Sequence, residues 1–161
     1  MDLKGHKKKA PWQTAPQLPE EVPAVWHKPD RTLNPTAVVA TIDPNGTSHA
    51  APFGSLRAVT PRMLRLGRSR GHDAYANLRR VGQVAMTMVA TPDIAVSIRG
   101  RARVAIERMR AGERCAVIEI DIEEVKNDIS GAIVVESAIA AYVRDEYRDW
   151  FQAVLGEMEE A

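Results

Sequence analysis

The chain has 161 residues, of which 45% are hydrophobic and 27% are charged. This length and this balance favour one folded domain and exclude wholesale disorder. No apolar run approaches the roughly 18 residues that a membrane span requires. The single cysteine, Cys115, excludes an internal disulfide and a cysteine-cluster metal site, and no other metal site is predicted. A basic start without a following apolar stretch predicts a cytoplasmic protein.

Charge is distributed unevenly along the chain. Residues 1–43 carry six basic and five acidic groups, for a net charge of +1. Residues 44–106 carry ten arginines and two acids, for +8, whereas residues 107–161 carry six basic and fourteen acidic groups, for −8. This pattern indicates an anion site in the middle of the chain, or charge pairing between halves of the fold or between subunits. The two interpretations are compatible.

The first 35 residues predict an N-terminal arm. They contain six of the ten prolines, and proline interrupts both helices and central strands. Trp12 and Trp26 are large apolar side chains, so we expect the arm to lie on a surface of its own subunit or of a partner. We interpret Lys7–Lys9 as a solvated terminus rather than as a nucleic-acid contact.

From Thr36 onward, the pattern predicts six strands joined by short connections, which favour antiparallel pairing. Asp43–Gly46 has the composition of a hairpin turn. A sheet of this kind protects its edges best by curling into a barrel. The predicted strands are Ala37–Ile42, Thr47–Val59, Met63–Arg68, Gln83–Ala90, Ile94–Ile106 and Cys115–Ile122.

Two segments have helical spacing. A short helix is predicted over Asp73–Arg80, with Asp73 as its cap and its end near Gly82. Apolar residues at steps of 3.6 predict a C-terminal amphipathic helix over Ser137–Glu159. The predicted domain organisation is therefore an arm (1–35), a barrel (36–136) and a C-terminal helix (137–161) packed on the barrel or on a dimer partner.

The sequence contains no self-contained catalytic motif. Ser55 lacks the second glycine of a nucleophile elbow, and none of the four histidines has a partner at the spacing that zinc requires. Walker-type and Gly-x-Gly-x-x-Gly loops are also absent from the sequence. No residue is therefore assigned as catalytic, and we expect any chemistry to come from a bound cofactor.

A loop rich in glycine and arginine predicts a phosphate site. It joins a strand to the short helix, where backbone amides, a hydroxyl, a guanidinium and an imidazole suit a phosphate. Because Arg68 and Arg70 alternate, we expect only one of them to point at a given ligand. The alternative is a surface loop with solvated arginines. The predicted residues are Gly67, Ser69, Arg70, Gly71 and His72.

A second candidate lies in the strand that begins near His49. Proline and glycine inside a strand mark an edge, a bulge or a close approach to a ligand. A flat heteroaromatic ring needs such a surface, whereas the alternative is a simple bulge of the barrel. The predicted residues are Ala51, Pro52, Phe53, Gly54 and Ser55.

These motifs, in this order, resemble the pyridoxamine 5′-phosphate oxidase-like flavin-binding split barrels. The resemblance covers roughly residues 17–136. Its motifs are the Asp-Pro-Asn-Gly hairpin, the His-Ala-Ala-Pro-Phe strand, the Ser-Arg-Gly loop, the Tyr-Ala-Asn-Leu-Arg-Arg helix and the strand Val-Ser-Ile-Arg-Gly-Arg-Ala-Arg-Val. The resemblance implies a mainly β fold, a six-stranded antiparallel split β-barrel with flanking helices. It also implies a homodimer with FMN in two clefts at the interface.

The resemblance implies that Ala51–Leu56 lies along the flavin and that Gly67–Asp73 holds its phosphate, with help from Arg57 or Arg99. Asp73 departs from the family pattern, in which a lysine follows the loop, so a deazaflavin, haem or no cofactor remain alternatives. The C-terminal substrate segment of true vitamin B6 oxidases has no counterpart here. The predicted function is an FMN-dependent oxidoreductase acting on a small molecule or redox partner.

Two rival functions remain. The first is a non-catalytic protein that binds flavin or haem or transfers electrons. The second is a nucleic-acid-binding barrel that uses its arginine face. The arginine-rich segment contains two aromatic residues, Phe53 and Tyr75, whereas single-strand binding relies on several stacking aromatics.

Overall fold

One antiparallel sheet dominates the computed structural model, which describes residues 13–20, 22, 33 and 36–160. The strands are β1 (Thr14–Ala15), β2 (Ala37–Ile42), β3 (Ser48–Phe53), β4 (Arg57–Thr60), β5 (Met63–Ser69), β6 (Gln83–Ala90), β7 (Ile94–Ile106) and β8 (Cys115–Asn127). The strand order is β3-β2-β6-β7-β8-β5-β4, and β1 pairs with β8. The helices are α1 (Asp73–Arg80) and α2 (Arg148–Glu160), the latter preceded by a 3-10 turn, Asp145–Tyr147. This architecture is the predicted mainly β split barrel with flanking helices.

The sheet has eight strands rather than the six predicted. The predicted strand Thr47–Val59 divides at residues 54–56, because β3 pairs with β2 whereas β4 pairs with β5. The chain therefore changes partner strands at this point and leaves the ladder. The additional strand β1 comes from the proline-rich arm. The predictions for Trp12, Trp26 and Lys7–Lys9 lie outside the described residues.

The main core lies on one face of the sheet, as the alternation of buried and exposed residues along the strands shows. In β6, buried and exposed residues alternate over the full length of the strand. In β8, however, residues 115–120 are buried on both faces, including the outer face. Val117 and Glu119 on that outer face are buried because α2 packs over it. Helix α2 thus covers the outer face of the sheet near the start of β8, whereas the outer face of β6 stays exposed.

Helix α1 has the predicted bounds, but its cap is different. His72, rather than Asp73, is the N-cap residue, and its Nδ1 accepts a hydrogen bond of 3.1 Å from the backbone N–H of Ala74. Asp73 occupies the first turn, where a negative charge suits the positive end of the helix dipole. This arrangement directs the imidazole of His72 toward the backbone of the helix start.

A buried amide fixes α1 to the β2–β3 hairpin. The Nδ2 of Asn77 donates to Thr41 Oγ1 at 3.0 Å and to Asp43 Oδ1 at 2.8 Å. Asn77 is 2% exposed, so both hydrogen bonds compensate for its desolvation. The anchor sets the position of the loop that leads into α1.

The C-terminal helix is shorter than predicted, since it begins at Arg148 and not at Ser137. Residues 137–144 have no regular structure, and their apolar side chains Ile139 and Tyr142 are 49% and 89% exposed. A short helix depends mostly on packing of its apolar face. That face is buried only in α2, where Val154, Leu155 and Met158 pack on a second apolar cluster formed with Met109, Cys115 and Val117. No helix in the described ranges is long and apolar enough to cross a membrane.

Candidate functional site

The two stretches predicted from the sequence meet at one pocket of about 270 Å³. It lies between the β3–β4 link, the end of β5 and helix α2. Its lining residues are Leu33, Phe53, Gly54, Ser55, Gly67, Arg68, Ser69, Cys115, Trp150, Phe151 and Val154. Five of the ten predicted site residues are therefore brought together here.

A serine fixes the two stretches to each other. Ser55 Oγ donates to the Gly67 carbonyl at 2.8 Å and accepts from the Gly67 N–H at 3.2 Å. The side chain thereby replaces the ladder hydrogen bonds that the chain loses between β3 and β4. The result is a defined wall at the point where the strands separate.

Arg68 is the cation of the pocket. Its guanidinium carbon lies 4.3 Å from the centre of the Phe53 ring, in a cation–π arrangement. Its Nε is buried and has no hydrogen-bond acceptor among the described residues. Burial also lowers the pKa of Arg68 from its ordinary value, although the group stays charged at neutral pH. An anion in the pocket would give this donor the acceptor that it lacks.

Arg70, which the sequence predicts at the phosphate, does not line the pocket. Its backbone N–H donates to the Arg114 carbonyl at 2.7 Å, which joins the loop to the start of β8. Its side-chain Nε is also buried without an acceptor in the described part of the chain. Of the two alternating arginines, the prediction chose Arg70, whereas in the structure Arg68 lines the pocket.

His72 lies beside the pocket rather than in its wall. Its ring centroid is 6.4 Å from that of Phe53 and 6.1 Å from that of His49. Burial, followed by the charge of Arg68, lowers the pKa of His72, and Asp73 partly opposes this shift. The imidazole is therefore neutral at pH 7. Since Nδ1 accepts the capping hydrogen bond, Nε2 carries the proton and can donate to a ligand.

The remaining predicted residues lie away from the pocket. Ala51 is buried and Pro52 exposed on β3, and Gly71 is exposed in the loop before α1. Arg57 is buried, with its Nη1 donating to the carbonyls of Gly54 and Leu56 at 3.2 and 2.9 Å. Arg99 lines a different pocket of about 310 Å³ on the outer face of β2, β6 and β7.

The chain itself covers the glycines of the pocket. A Cβ atom on Gly54 would lie 2.6 Å from Leu33 Cδ2, so the close approach at this glycine is made by the arm. A Cβ on Gly67 would lie 3.6 Å from Val154 Cγ1, on α2. Sequence reasoning missed these walls, because Leu33 and α2 are remote along the chain and nothing local signals their contact.

In the described part of the chain, four of the ten central arginines pair with acids of the C-terminal third. Arg103 binds Glu119 at 2.6 Å and also contacts Asp121, while Arg65 binds Glu119 at 3.3 Å. Arg101 binds Glu123 at 2.9 Å, and Arg79 binds Glu107 at 3.0 Å. Charge pairing within one chain thus accounts for part of the uneven distribution.

Comparison with known proteins places this geometry in a family. The sequence profile of the family described as pyridoxamine 5′-phosphate oxidase matches residues 27–130. The chain belongs to the pyridoxamine 5′-phosphate oxidase family. The matched region contains the β3–β4 link and the Arg68 loop but ends before α2. A search of curated proteins found no match.

Several solved structures share the fold of this chain. A protein from Lactobacillus delbrueckii described as a pyridoxamine 5′-phosphate oxidase is 24% identical, with a TM-score of 0.58, covering 71% of this chain and 98% of its own. An F420 reductase is 16% identical, with a TM-score of 0.55 and coverages of 68% and 98%. HupZ from Group A Streptococcus is 20% identical, with a TM-score of 0.53 and coverages of 70% and 94%.

Proposed function

We propose that the protein is an FMN-binding oxidoreductase. It works as a homodimer with cofactor clefts at the subunit interface, and its substrate differs from that of vitamin B6 oxidases. Residues 137–161 contain no histidine, whereas the resemblance implies a histidine in the C-terminal substrate segment of vitamin B6 oxidases. When bound, the flavin supplies the redox chemistry, and the chain binds and orients it.

The observation that carries the proposal is the buried Arg68 Nε without an acceptor, in a pocket next to the neutral Nε2–H donor of His72. Both groups would donate to a phosphate, with Arg70 close by in sequence. Phe53, Gly54 and Ser55 would lie along the ring system. The donor set therefore fits an anionic flavin better than an uncharged one.

The size of the pocket supports a dimer. Sites for cofactors and other small molecules usually have volumes of about 300–1,000 Å³, and this pocket has about 270 Å³. One chain thus encloses slightly less space than such sites usually have. A second chain, placed at the open side, would complete the cleft.

The test compares FMN with riboflavin, which lacks the phosphate. Freshly purified protein should show the visible absorption of oxidised flavin, and the apoprotein should bind FMN much more tightly than riboflavin. Arg68→Ala should weaken FMN binding by roughly 30- to 100-fold, the cost of about 2–3 kcal/mol for a lost charge-assisted bond. Its effect on riboflavin should be small.

The matched control is Arg101→Ala, which removes the same charge from a solvent-exposed ion pair with Glu123. This variant should bind FMN as the unmutated protein does. Equal affinities of the unmutated protein for FMN and riboflavin would contradict the proposed phosphate site. A titration with F420, the ligand in the name of one structural neighbour, examines the deazaflavin alternative.

A second candidate is a non-catalytic carrier of flavin or haem. It is favoured by the lining of the pocket, which includes no carboxylate and no imidazole in the described part of the chain. NADH and NADPH should reduce FMN bound to an oxidoreductase faster than free FMN. Equal reduction rates, together with tight binding, would favour the carrier.

A further inference from the structure

Helix α2 forms a wall of the pocket, although it lies outside the family-matched residues 27–130. It contributes Trp150, Phe151 and Val154 to the lining. The two aromatic rings have an edge-to-face arrangement, with centroids 6.4 Å apart and an angle of 63° between their planes. Trp150 is 45% exposed, so the rest of the chain covers only part of its side chain.

Two sets of hydrogen bonds, which we call clasps, fix the position of helix α2. The carboxylate of Glu157 accepts hydrogen bonds of 2.7 Å from the backbone N–H groups of Arg110 and Ala111, in the β7–β8 loop. Burial acts to raise the pKa of Glu157, but these donors and the Arg110 charge outweigh it and lower the pKa. Arg65 provides the second clasp by donating to the carbonyls of Met158 and Glu159, at 3.3 Å each.

Helix α2 packs closely against β5, the strand that carries Arg68. Val154 Cγ1 and Met158 Sδ lie 3.6 and 3.7 Å from the position of a Cβ on Gly67, directly before Arg68. Trp150 Nε1 similarly lies 3.1 Å from the Cβ position of Gly112, in the clasped loop. The aromatic pair and Arg68 therefore line the same small cavity.

We propose that α2 determines the specificity of the pocket: Trp150 and Phe151 contact a flat aromatic ring whose anionic group binds Arg68, and Glu157 holds them in position. The ligand class is thus an aromatic or heteroaromatic anion. This inference rests on the proposed function only for its choice of FMN as the probe. Aliphatic anions would gain no binding affinity from stacking on Trp150 and Phe151.

The first experiment is an FMN titration of Trp150 variants. Stacking on an aromatic side chain contributes about 1–3 kcal/mol per ring, so Trp150→Ala should weaken FMN binding about tenfold or more. Trp150→Phe should restore most of the affinity. The control is Tyr147→Ala, an exposed aromatic residue one turn earlier that does not line the pocket. Wild-type affinity in Trp150→Ala would overturn the proposal.

The second experiment needs no flavin. Cys115 lines the pocket and lies in the apolar cluster under α2, so its reaction with a bulky disulfide reagent reports whether the wall is in place. Glu157→Gln should accelerate this reaction about tenfold or more, since it removes charge-assisted bonds to the loop. The control is Glu160→Gln, which removes an exposed carboxylate that also faces Arg110 but holds no backbone N–H in the described contacts.

The two experiments separate the two proposals. Failure of the unmutated protein to bind FMN would overturn the proposed function alone. Cys115 reactivity then decides whether α2 covers the pocket. An unchanged rate in Glu157→Gln, with its melting temperature lowered no more than that of Glu160→Gln, would overturn the role of the clasp.

Discussion

His72 combines a structural and a binding role in one imidazole ring. Its Nδ1 caps α1, which requires the neutral ring, and its pKa is lowered by burial and by Arg68. The folded protein therefore binds fewer protons at this site than the unfolded chain. The stability that His72 contributes is complete above its ordinary pKa of about 6.5 and is lost as pH falls through the lower folded-state pKa.

We therefore predict that His72→Asn removes part of the acid sensitivity of the fold. Asparagine caps helices well and does not titrate. Between pH 7.5 and pH 5, the unmutated protein should lose about 1 kcal/mol more stability than the variant. Thermal melting followed by circular dichroism would measure this as a difference of roughly 2–4 °C.

The control for this prediction is His49→Asn, which replaces the neighbouring ring 6.1 Å away. His49 makes no capping bond to α1, so its variant should retain the acid sensitivity associated with the cap. Identical pH profiles for His72→Asn and the unmutated protein would contradict the capping role.

Single residues of the site were predictable only where the chemistry is local. The sequence pointed to Ser55 and Gly67 through the β-bulge and loop signals, and both line the pocket. The sequence prediction chose Arg70 rather than Arg68, which lines the pocket, because that choice depends on which face of β5 meets the β3–β4 link. Trp150 carried no local signal, since its contact with the pocket depends on how α2 packs.

At the scale of the elements, a close approach between β7 and β8 depends on one glycine. A Cβ on Gly100 would lie 2.4 Å from the backbone oxygen of Asp121 and 2.9 Å from Ile120 Cγ2. The pairing register shifts between Arg99 and Gly100, so β8 has an extra residue, Glu123, at this point. The bulge brings the β8 backbone into the space that a side chain would need.

We predict that Gly100→Ala destabilises the protein by about 2–3 kcal/mol, the upper part of the range expected for overpacking a core. The melting temperature should fall by roughly 5–10 °C. Gly131→Ala is the control, since no described atom beyond its chain neighbours lies within 4 Å of the added Cβ, and its stability should change by about 0.5 kcal/mol or less. A fall of less than 2 °C in Gly100→Ala would show that β8 can shift register to accommodate it.

The helices and strands also show which structural features a local sequence pattern can predict. Helix α1 was predicted with its bounds because its cap signal, its apolar spacing and its end all lie within ten residues. Helix α2 was extended too far toward its N-terminus, because the stripe continues through Ile139 and Tyr142 where nothing in the described chain covers it. The strand Thr47–Val59 was not divided, since a change of partner strand has no periodic signature.

At the scale of the whole molecule, the segment after β8 leaves apolar side chains without cover. Ile133, Val134 and Tyr142 are 60%, 72% and 89% exposed in a single chain. The segment is nevertheless held in place, because the backbone N–H of Val135 donates to Asp93 Oδ1 at 2.9 Å. An apolar surface fixed in this way suits a subunit interface better than a solvated loop.

We therefore predict that light scattering at micromolar concentration gives twice the 17.8 kDa mass of one chain. The interface should bury on the order of 2,000 Å² or more in total, as permanent dimers do. Val134→Asp places a charge in this surface and should shift the equilibrium toward monomer. Val59→Asp, on β4 and 41% exposed, should leave the dimer intact.

Because the second chain would close the open side of the pocket, Val134→Asp should also weaken FMN binding at protein concentrations where it is monomeric. A monomeric unmutated protein would contradict the shared cleft, whereas a dimer that withstands Val134→Asp would place its interface on another face of the barrel.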